Sequence, residues 1–311
     1  MPENAGLHRF AVVTALATLL LIFAGGLVTS TESGLSVPDW PLSYGRLMPP
    51  MVGGIFYEHG HRMVASAVGL LTVVLAVWLS RREPRAWVRR LGYTALAAVV
   101  AQGVLGGLTV LFLLPTAVSV AHACLAQTFF CLIVTIAVVT SPRWRDARAM
   151  AGGVALRIGS ATVAAIFLQL LAGALMRHTK AGLAIPDFPL SLGRIVPAIT
   201  SFRIGIAFAH RVGALAVAAC VVACAAAAFR SGRPGLKKTA LALLFLVAVQ
   251  IALGASTVLS RKAVPVTTAH VATGALLLGT ALAFALGSLR GRSLTESAAV
   301  PSPSTEALAC L

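Results

Sequence analysis

The sequence is poor in charged residues, and above all in acidic ones. Only 11% of its 311 residues are charged, and only 9 are Asp or Glu. A soluble domain of this length carries roughly a quarter of charged residues, so the composition excludes a soluble globular protein. The apolar share is 58%, the mean hydropathy is +0.91, and long blocks hold no charge at all. These values indicate a polytopic membrane protein.

Aromatic residues and cysteines are scarce as well. Aromatics make up 6% of the chain and do not alternate with the basic residues, whose excess gives a net charge of +16. Single-stranded nucleic acids are bound by basic grooves with stacking aromatics, so we expect no nucleic-acid partner. Four of the 5 cysteines lie in apolar segments and Cys310 lies near the C-terminus. No disulfide framework is indicated.

Eight apolar segments are long enough to cross a bilayer, which takes about 20 residues. They span roughly 10–29, 57–80, 92–113, 116–140, 154–176, 204–229, 239–260 and 264–289. The first is too long for the apolar part of a signal peptide and has no small-x-small cleavage site. We therefore expect it to be retained as a helix.

The chain contains an internal repeat. GLSVPDWPLSYGRLMPP begins at Gly34, and GLAIPDFPLSLGRIVPA begins 148 residues later at Gly182. The same offset relates Gln102, Gly106, Thr109 and His122 to Gln250, Gly254, Thr257 and His270. Such a repeat indicates two copies of one unit. The predicted fold is an all-α polytopic membrane protein with two tandem parallel four-helix bundles, at 1–150 and 151–292, and a disordered cytoplasmic tail at 293–311.

Basic residues are unequally divided between the two predicted faces. One set of loops holds 16 of the 25 Lys and Arg residues. Because cytoplasmic loops carry the excess of Lys and Arg, we expect both termini in the cytoplasm. The two long loops, about 30–56 and 177–203, then face outward. Proline and glycine in these loops predict turns rather than helices.

Four of the 7 histidines occupy repeated places in the apolar segments: His61, His122, His210 and His270. Each is expected roughly 8–10 Å below the outer end of its helix, at 1.5 Å per residue. A lone intramembrane histidine usually serves packing. Two imidazoles facing each other in a four-helix core make a metal or heme axial pair. With no inward-facing set of Asp, Glu or Cys to supply zinc or di-iron, the pattern favours heme with two His ligands per unit.

The two units differ beside the first histidine. Glu58 lies three residues before His61 on the same predicted helical face, whereas its repeat partner is Ala207. Phe208 likewise stands in the place of His59. A buried carboxylate near a cofactor relays protons or stabilises developing positive charge. The alternative is a helix-start Glu that the macrodipole favours.

Four arginines are candidate partners of heme propionates. Arg62 and Arg211 directly follow the first histidine of each unit, and Arg46 and Arg194 occupy matching places in the long loops. Arginine binds carboxylates through paired, charge-assisted hydrogen bonds. For Arg62 and Arg211 the alternative is simply to reach the outer interface.

The sequence resembles the heme A synthase family from about Ala24 to Gly287. The resemblance is carried by eight helices as four plus four, the GL-x-x-PD-W/F-PL loops, the E-x-x-H-R element with its repeated H-R, and the two later histidines. It implies oxidation of the C8 methyl of heme O to a formyl group, giving heme A for cytochrome oxidase. The implied site has Glu58 as the catalytic carboxylate with His61 and His122 at the substrate heme, and His210 and His270 as iron ligands of a heme b.

The resemblance also implies a bacterial-type cytoplasmic membrane, with heme sites near the outer face. Heme O is the implied substrate, and membrane lipid, a heme O synthase, cytochrome oxidase assembly factors, an electron donor and a second copy of the chain are candidate partners. Members of the family often carry a cysteine pair in the outer loops. Here the matching places hold Val37 and Ser43, and Ile185 and Ser191, which leaves the route of the reductant open.

Two other classes remain at this stage. A diheme electron-transfer protein would carry the same histidines but would not need Glu58 in one unit alone. A transporter predicts charged residues at the bilayer midplane, and none is evident. The roles of His59 and His178 stay open.

Overall fold

The computed structural model describes residues 5–149 and 153–291, and the predicted tail at 293–311 lies outside them. Within these ranges eight helices have the length and composition to cross a membrane. They are α1 (Ala5–Ser30), α2 (Gly53–Arg82), α3 (Ala86–Leu111), α4 (Thr116–Thr140), α6 (Val154–His178), α7 (Phe202–Arg230), α8 (Pro234–Leu259) and α9 (Val264–Ser288). The all-α, eight-helix prediction is confirmed, and the chain is an integral membrane protein.

Two small elements join these helices and were not predicted. Helix α5 (Pro142–Asp146) follows α4, and Ser141 caps it by accepting a hydrogen bond from the Trp144 amide. Strand β1 (Arg148–Ala149) pairs antiparallel with β2 (Arg290–Gly291). The ribbon ties the linker between the two halves to the end of the last long helix.

The helices pack as two rings of four. In the first half α1 contacts α2 and α4, and α3 contacts the same two helices; α6, α7, α8 and α9 repeat this pattern. The halves meet where α1 packs on α9, α4 on α6, and α4 on α9. The contacts are consistent with two tandem four-helix units lying side by side.

Small residues allow close helix contacts, as expected where lipid supplies no hydrophobic drive between helices. A Cβ added to Gly159 of α6 would stand 3.1 Å from the Cα of Ala285 on α9. At the junction of the halves, Phe130 packs against Gly279 among buried Ile22 and Ala275. Large apolar side chains point outward instead, for example Leu16 and Leu215, in accord with a lipid-facing surface.

Charged residues close the end of the molecule opposite the long loops. The carboxylate of Glu83 is buried and pairs with Arg85 and Arg145, each at 2.7 Å. Arg85 also donates to the carbonyl of Val139, in the last turn of α4. Burial alone would raise the pKa of Glu83, but hydrogen bonds from Arg85 and the charge of Arg145 lower it below its ordinary value.

Candidate functional site

The two outer loops are built on the same carboxylate-capped turn. Asp39 accepts hydrogen bonds from the amides of Tyr44 (2.6 Å) and Gly45 (2.8 Å). Tyr44 and Gly45 both have positive φ, 54° and 68°, so the short Asp side chain holds two successive left-handed residues in place. These hydrogen bonds lower the pKa of Asp39. Asp187 caps the second loop in the same way, through Leu192 and Gly193.

Each loop is pinned to its bundle by an aromatic residue or an arginine. Trp40 lies against Gly107 of α3, where a Cβ would stand 2.6 Å from the indole ring. Arg62 donates to the carbonyls of Val37, Asp39 and Leu42 at 2.8–3.2 Å. In the second unit Arg211 donates to the carbonyls of Ile185, Asp187 and Leu190 at 2.7–3.0 Å. These arginines therefore bind the loop that covers the bundle.

The four propionate candidates now fall into two groups. Arg62 and Arg211 use their terminal nitrogens on loop carbonyls. Arg46 and Arg194 have exposed side chains, while their backbones pair with Ser43 and Ser191 at the loop tips. Their contact with propionates stays a prediction.

Glu58 is the only carboxylate within the eight long helices. It is buried, and both oxygens are engaged: Oε1 pairs with Arg62 at 2.7 Å, and Oε2 accepts from the Val37 amide at 2.9 Å. Its neighbour His59 is buried as well and contacts Ser43 Oγ through Nδ1 at 2.8 Å. Glu58 thus joins the start of α2 to the loop, and its catalytic role stays a prediction.

The four repeated histidines each pack on a glycine of the neighbouring helix. Each lies in the first third of its helix, at the end that the long loops cover. In every case the imidazole Cε1 lies 3.1–3.2 Å from where a Cβ would stand, so a side chain there would push the ring aside. The pairs are His61 on Gly25, His122 on Gly106, His210 on Gly173 and His270 on Gly254.

Within each unit the two histidines are neighbours. His61 and His122 are close enough for their charges to interact, and so are His210 and His270. Glutamines hold the histidine backbones: Gln102 donates to the His122 carbonyl at 3.0 Å, and Gln169 to the His210 carbonyl at 2.7 Å. In each unit one histidine from each of two helices thus lies near the other, and their role as a ligand pair stays a prediction.

The residues fit a heme better than a compact metal ion. Nδ1 of His61, His122 and His270 is buried without a hydrogen-bond partner in the described ranges. Buried polar atoms normally have partners, so these nitrogens suit a ligand. The described residues contain no group of three or more His, Cys, Asp and Glu side chains that would hold a bare ion. Two histidines per unit would supply the ligands that heme iron needs.

Sequence reasoning missed several residues of this site. Gly25 and Gly173 contact the first histidine of each unit. They are 148 residues apart, so the internal repeat could have identified them from the sequence. Gln169 contacts Nδ1 of His210 at 3.1 Å, whereas Leu21 stands in its place in the first unit. A residue that is present in only one unit cannot be recognised from the repeat, so only the structure shows that Gln169 belongs to the site.

Comparisons with known proteins agree with the geometry. The model of the cytochrome oxidase assembly protein family, COX15-CtaA, matches residues 8–53 and 52–282. A heme A synthase of Symbiobacterium thermophilum is 33% identical over 80% of this chain and 84% of the relative. Heme A synthases of Shouchella clausii and Geobacillus kaustophilus are 29% and 28% identical over 84% and 94% of this chain, and over 89% and 95% of their own lengths.

The matched region contains both long loops and all four repeated histidines. It also contains Glu58, and it ends within α9. The chain belongs to the COX15-CtaA family of cytochrome oxidase assembly proteins.

Proposed function

We propose that this protein is a heme A synthase, which oxidises the C8 methyl of heme O to the formyl group of heme A. The observation that carries the proposal is the duplicated pair of glycine-seated histidines, with a carboxylate beside only one pair. The name of its relatives supports the same activity. Heme O is then the substrate, and cytochrome oxidase is the destination of the product.

The N-terminal unit, 1–150, is the proposed catalytic unit. His61 and His122 would hold the substrate heme, and the loop from Gly34 would cover it on the outer side. The loop is tied down by Arg62 and Trp40, which would limit the access of water to the site. Glu58 offers a fixed negative charge where the loop meets α2, because both of its oxygens are held. It lies three residues before His61, which would hold the substrate heme.

The C-terminal unit, 151–292, is the proposed heme b site. His210 and His270 would be the iron ligands, and the heme would supply one-electron transfer when bound. Gln169 fixes the backbone and ring of His210, and Gly213 leaves room for it, since a Cβ there would collide with Gln169 Oε1. At the place of Gly213 the first unit has Val64, and at that of Gln169 it has Leu21. The second unit is thus built to hold one histidine more firmly.

The proposed setting is the cytoplasmic membrane of a bacterium, with both termini inside and both heme sites near the outer face. The excess of basic residues at one end supports this orientation. A heme O synthase, cytochrome oxidase assembly factors and an electron donor are the proposed partners, and the donor's identity is open.

Extraction of hemes from the purified protein tests the proposal. The protein is expressed with a heme O source, and its bound hemes are separated by chromatography. Heme O and heme A together with heme B are expected for the synthase. Heme B alone would show a diheme electron-transfer protein instead.

A further inference from the structure

One face of α6 lines the second histidine site. Gly173 seats His210, and Gln169, four residues earlier, contacts the same histidine. Residues four apart lie on one helical face, so Arg177 occupies this face one turn beyond Gly173, about 6 Å nearer the outer end. Arg177 is also close enough to His270 for their charges to interact. A cation therefore lies near His270, on the helical face that contacts His210 through Gln169.

Arg177 has few partners for a guanidinium that carries five N–H donors. Its hydrogen bond in the described ranges is a long one, 3.4 Å from Nη2 to Ser30 Oγ of α1. Of the carboxylates at this end, Asp39 and Asp187 cap their own loops and Glu58 pairs with Arg62. Glu32 is exposed and forms no ion pair with Arg177 within the described residues. Among the described residues, Arg177 therefore keeps donors available for a ligand.

The N-terminal unit has no cation at the matching place on α1, although Arg62 is close enough to His61 for their charges to interact. The equivalent face of α1 carries Leu21, Gly25 and Thr29 in place of Gln169, Gly173 and Arg177. The residues around the outer end of α6 are also more basic than their counterparts in the first unit. An open cavity of about 760 Å³ at the outer end of α6 is lined by His178, Lys180 and Arg203 together with Thr116 of α4. At the places of the three basic residues the first unit has Ser30, Glu32 and Gly54. The outer ends of α6 and α7 are therefore more positive than those of α1 and α2.

We infer that Arg177 binds a propionate of the heme in the C-terminal unit. The inference rests on the heme b site of the proposed function and adds a carboxylate subsite to it. A propionate is the anion that such a ligand would bring to this depth, and arginine binds carboxylates through paired hydrogen bonds. The four arginines that the sequence singles out are less suited, since two hold loop carbonyls and two extend from the loop tips.

Two other roles predict different results. A basic residue in the last turn of a helix is favoured by the macrodipole, and an arginine near the membrane surface also binds lipid phosphate. Neither role makes heme binding depend on Arg177. The test therefore compares heme with its propionate dimethyl ester, which keeps the iron and the ring but loses the two negative charges.

The test uses the full-length protein and compares Arg177→Gln with wild type. Arg261→Gln, at an exposed arginine in the turn between α8 and α9, is the matched control. Transfer of the low-spin heme to excess apomyoglobin is followed by absorbance, and its midpoint potential by redox titration. Arg177→Gln is expected to speed heme loss about tenfold or more and to lower the potential, because a positive charge near the heme favours the reduced state. Arg261→Gln should match wild type.

Reconstitution with the dimethyl ester identifies the propionate as the partner. With the ester, wild type and Arg177→Gln are expected to lose heme at the same rate. A tenfold difference that persists with the ester would overturn the inference, and so would unchanged heme loss accompanied by a fall in bound phospholipid. If Arg177→Gln does not accumulate, Arg177→Lys takes its place, with a smaller increase expected because lysine lacks the planar fork.

The failure of the inference is separable from that of the proposed function. A low-spin heme that disappears in His270→Ala shows that the C-terminal site exists. If that heme is present but its rate of loss is the same in wild type and Arg177→Gln, the inference alone is overturned. If wild type holds no such heme, both are overturned.

Discussion

Glu58 is a buried residue at which the two units differ in charge. Its partner in the repeat is Ala207, yet the arginine that follows the histidine is kept in both units. Arg211 holds its loop without a carboxylate, so the loop alone does not require Glu58. A negative charge in one unit only is what a reaction in that unit would use.

Replacing Glu58 by Gln should separate heme binding from turnover. The change keeps the side-chain volume and an acceptor for the Val37 amide, but it removes the charge that pairs with Arg62. We expect bound hemes at wild-type amounts, with heme O or a partly oxidised alcohol accumulating and heme A falling about 100-fold, at the lower end for a missing acid–base group. Chromatography of extracted hemes measures this.

A control is needed because Glu58 also anchors the loop. Arg62→Gln removes the ion pair and the bonds to loop carbonyls while it keeps the carboxylate. If Arg62→Gln gave the same heme profile as Glu58→Gln, loop anchoring would explain both. A normal amount of heme A from Glu58→Gln would show that the carboxylate serves only the start of the helix and not the reaction.

At the scale of elements, hydropathy predicted each long helix but not its ends. Helix α3 begins at Ala86 although the apolar segment begins near 92, because its first turns carry Arg89 and Arg90 and extend beyond the apolar run. Helix α5 and the ribbon β1–β2 were not predictable. They depend on contacts between residues far apart in the chain, such as Arg290 with the Ala147 carbonyl at 2.9 Å.

The buried Glu83 cluster links the turn after α2 to the end of α4, and it should make stability depend on pH. The pKa of Glu83 is lowered from 4.5. Stability from its ionised form is therefore present above pH 4.5 and lost as pH falls through the lowered pKa. Glu83→Gln should cost about 2 kcal/mol at pH 7, since two charge-assisted pairs are broken.

Unfolding of detergent-solubilised wild type and Glu83→Gln from pH 7 down to pH 3 measures this dependence. The difference in unfolding free energy is expected to shrink toward acid. Glu32→Gln, at an exposed carboxylate, is the control and should match wild type at pH 7. A Glu83→Gln deficit that is constant over the whole range would rule out the ion pairs as its source.

At the scale of the whole molecule, the two ends differ in chemistry. The Glu83 cluster and the linkers lie at one end, and the Asp-capped loops lie at the other. Reporter fusions at Arg82 and at Arg194 are expected to report opposite sides, with Arg82 in the cytoplasm. The same side for both would contradict the topology.

The repeat explains how much of the candidate site was predictable. Histidines and loops that occur twice are visible in one sequence, and the structure brings the histidines together in pairs. Arg177 and Gln169 occur once, on a helix that carries no repeated histidine. Only the packing of α6 on α7 and α9 brings them to His210 and His270.

The division of labour between the units is tested most directly by the hemes that two single variants retain. His61→Ala and His270→Ala are purified from cells with a heme O source, and their hemes are extracted and separated. His270→Ala should lose heme B and its low-spin signal while it keeps heme O, and His61→Ala should keep heme B while it loses heme O and heme A. Loss of the same heme from both variants would contradict two separate sites.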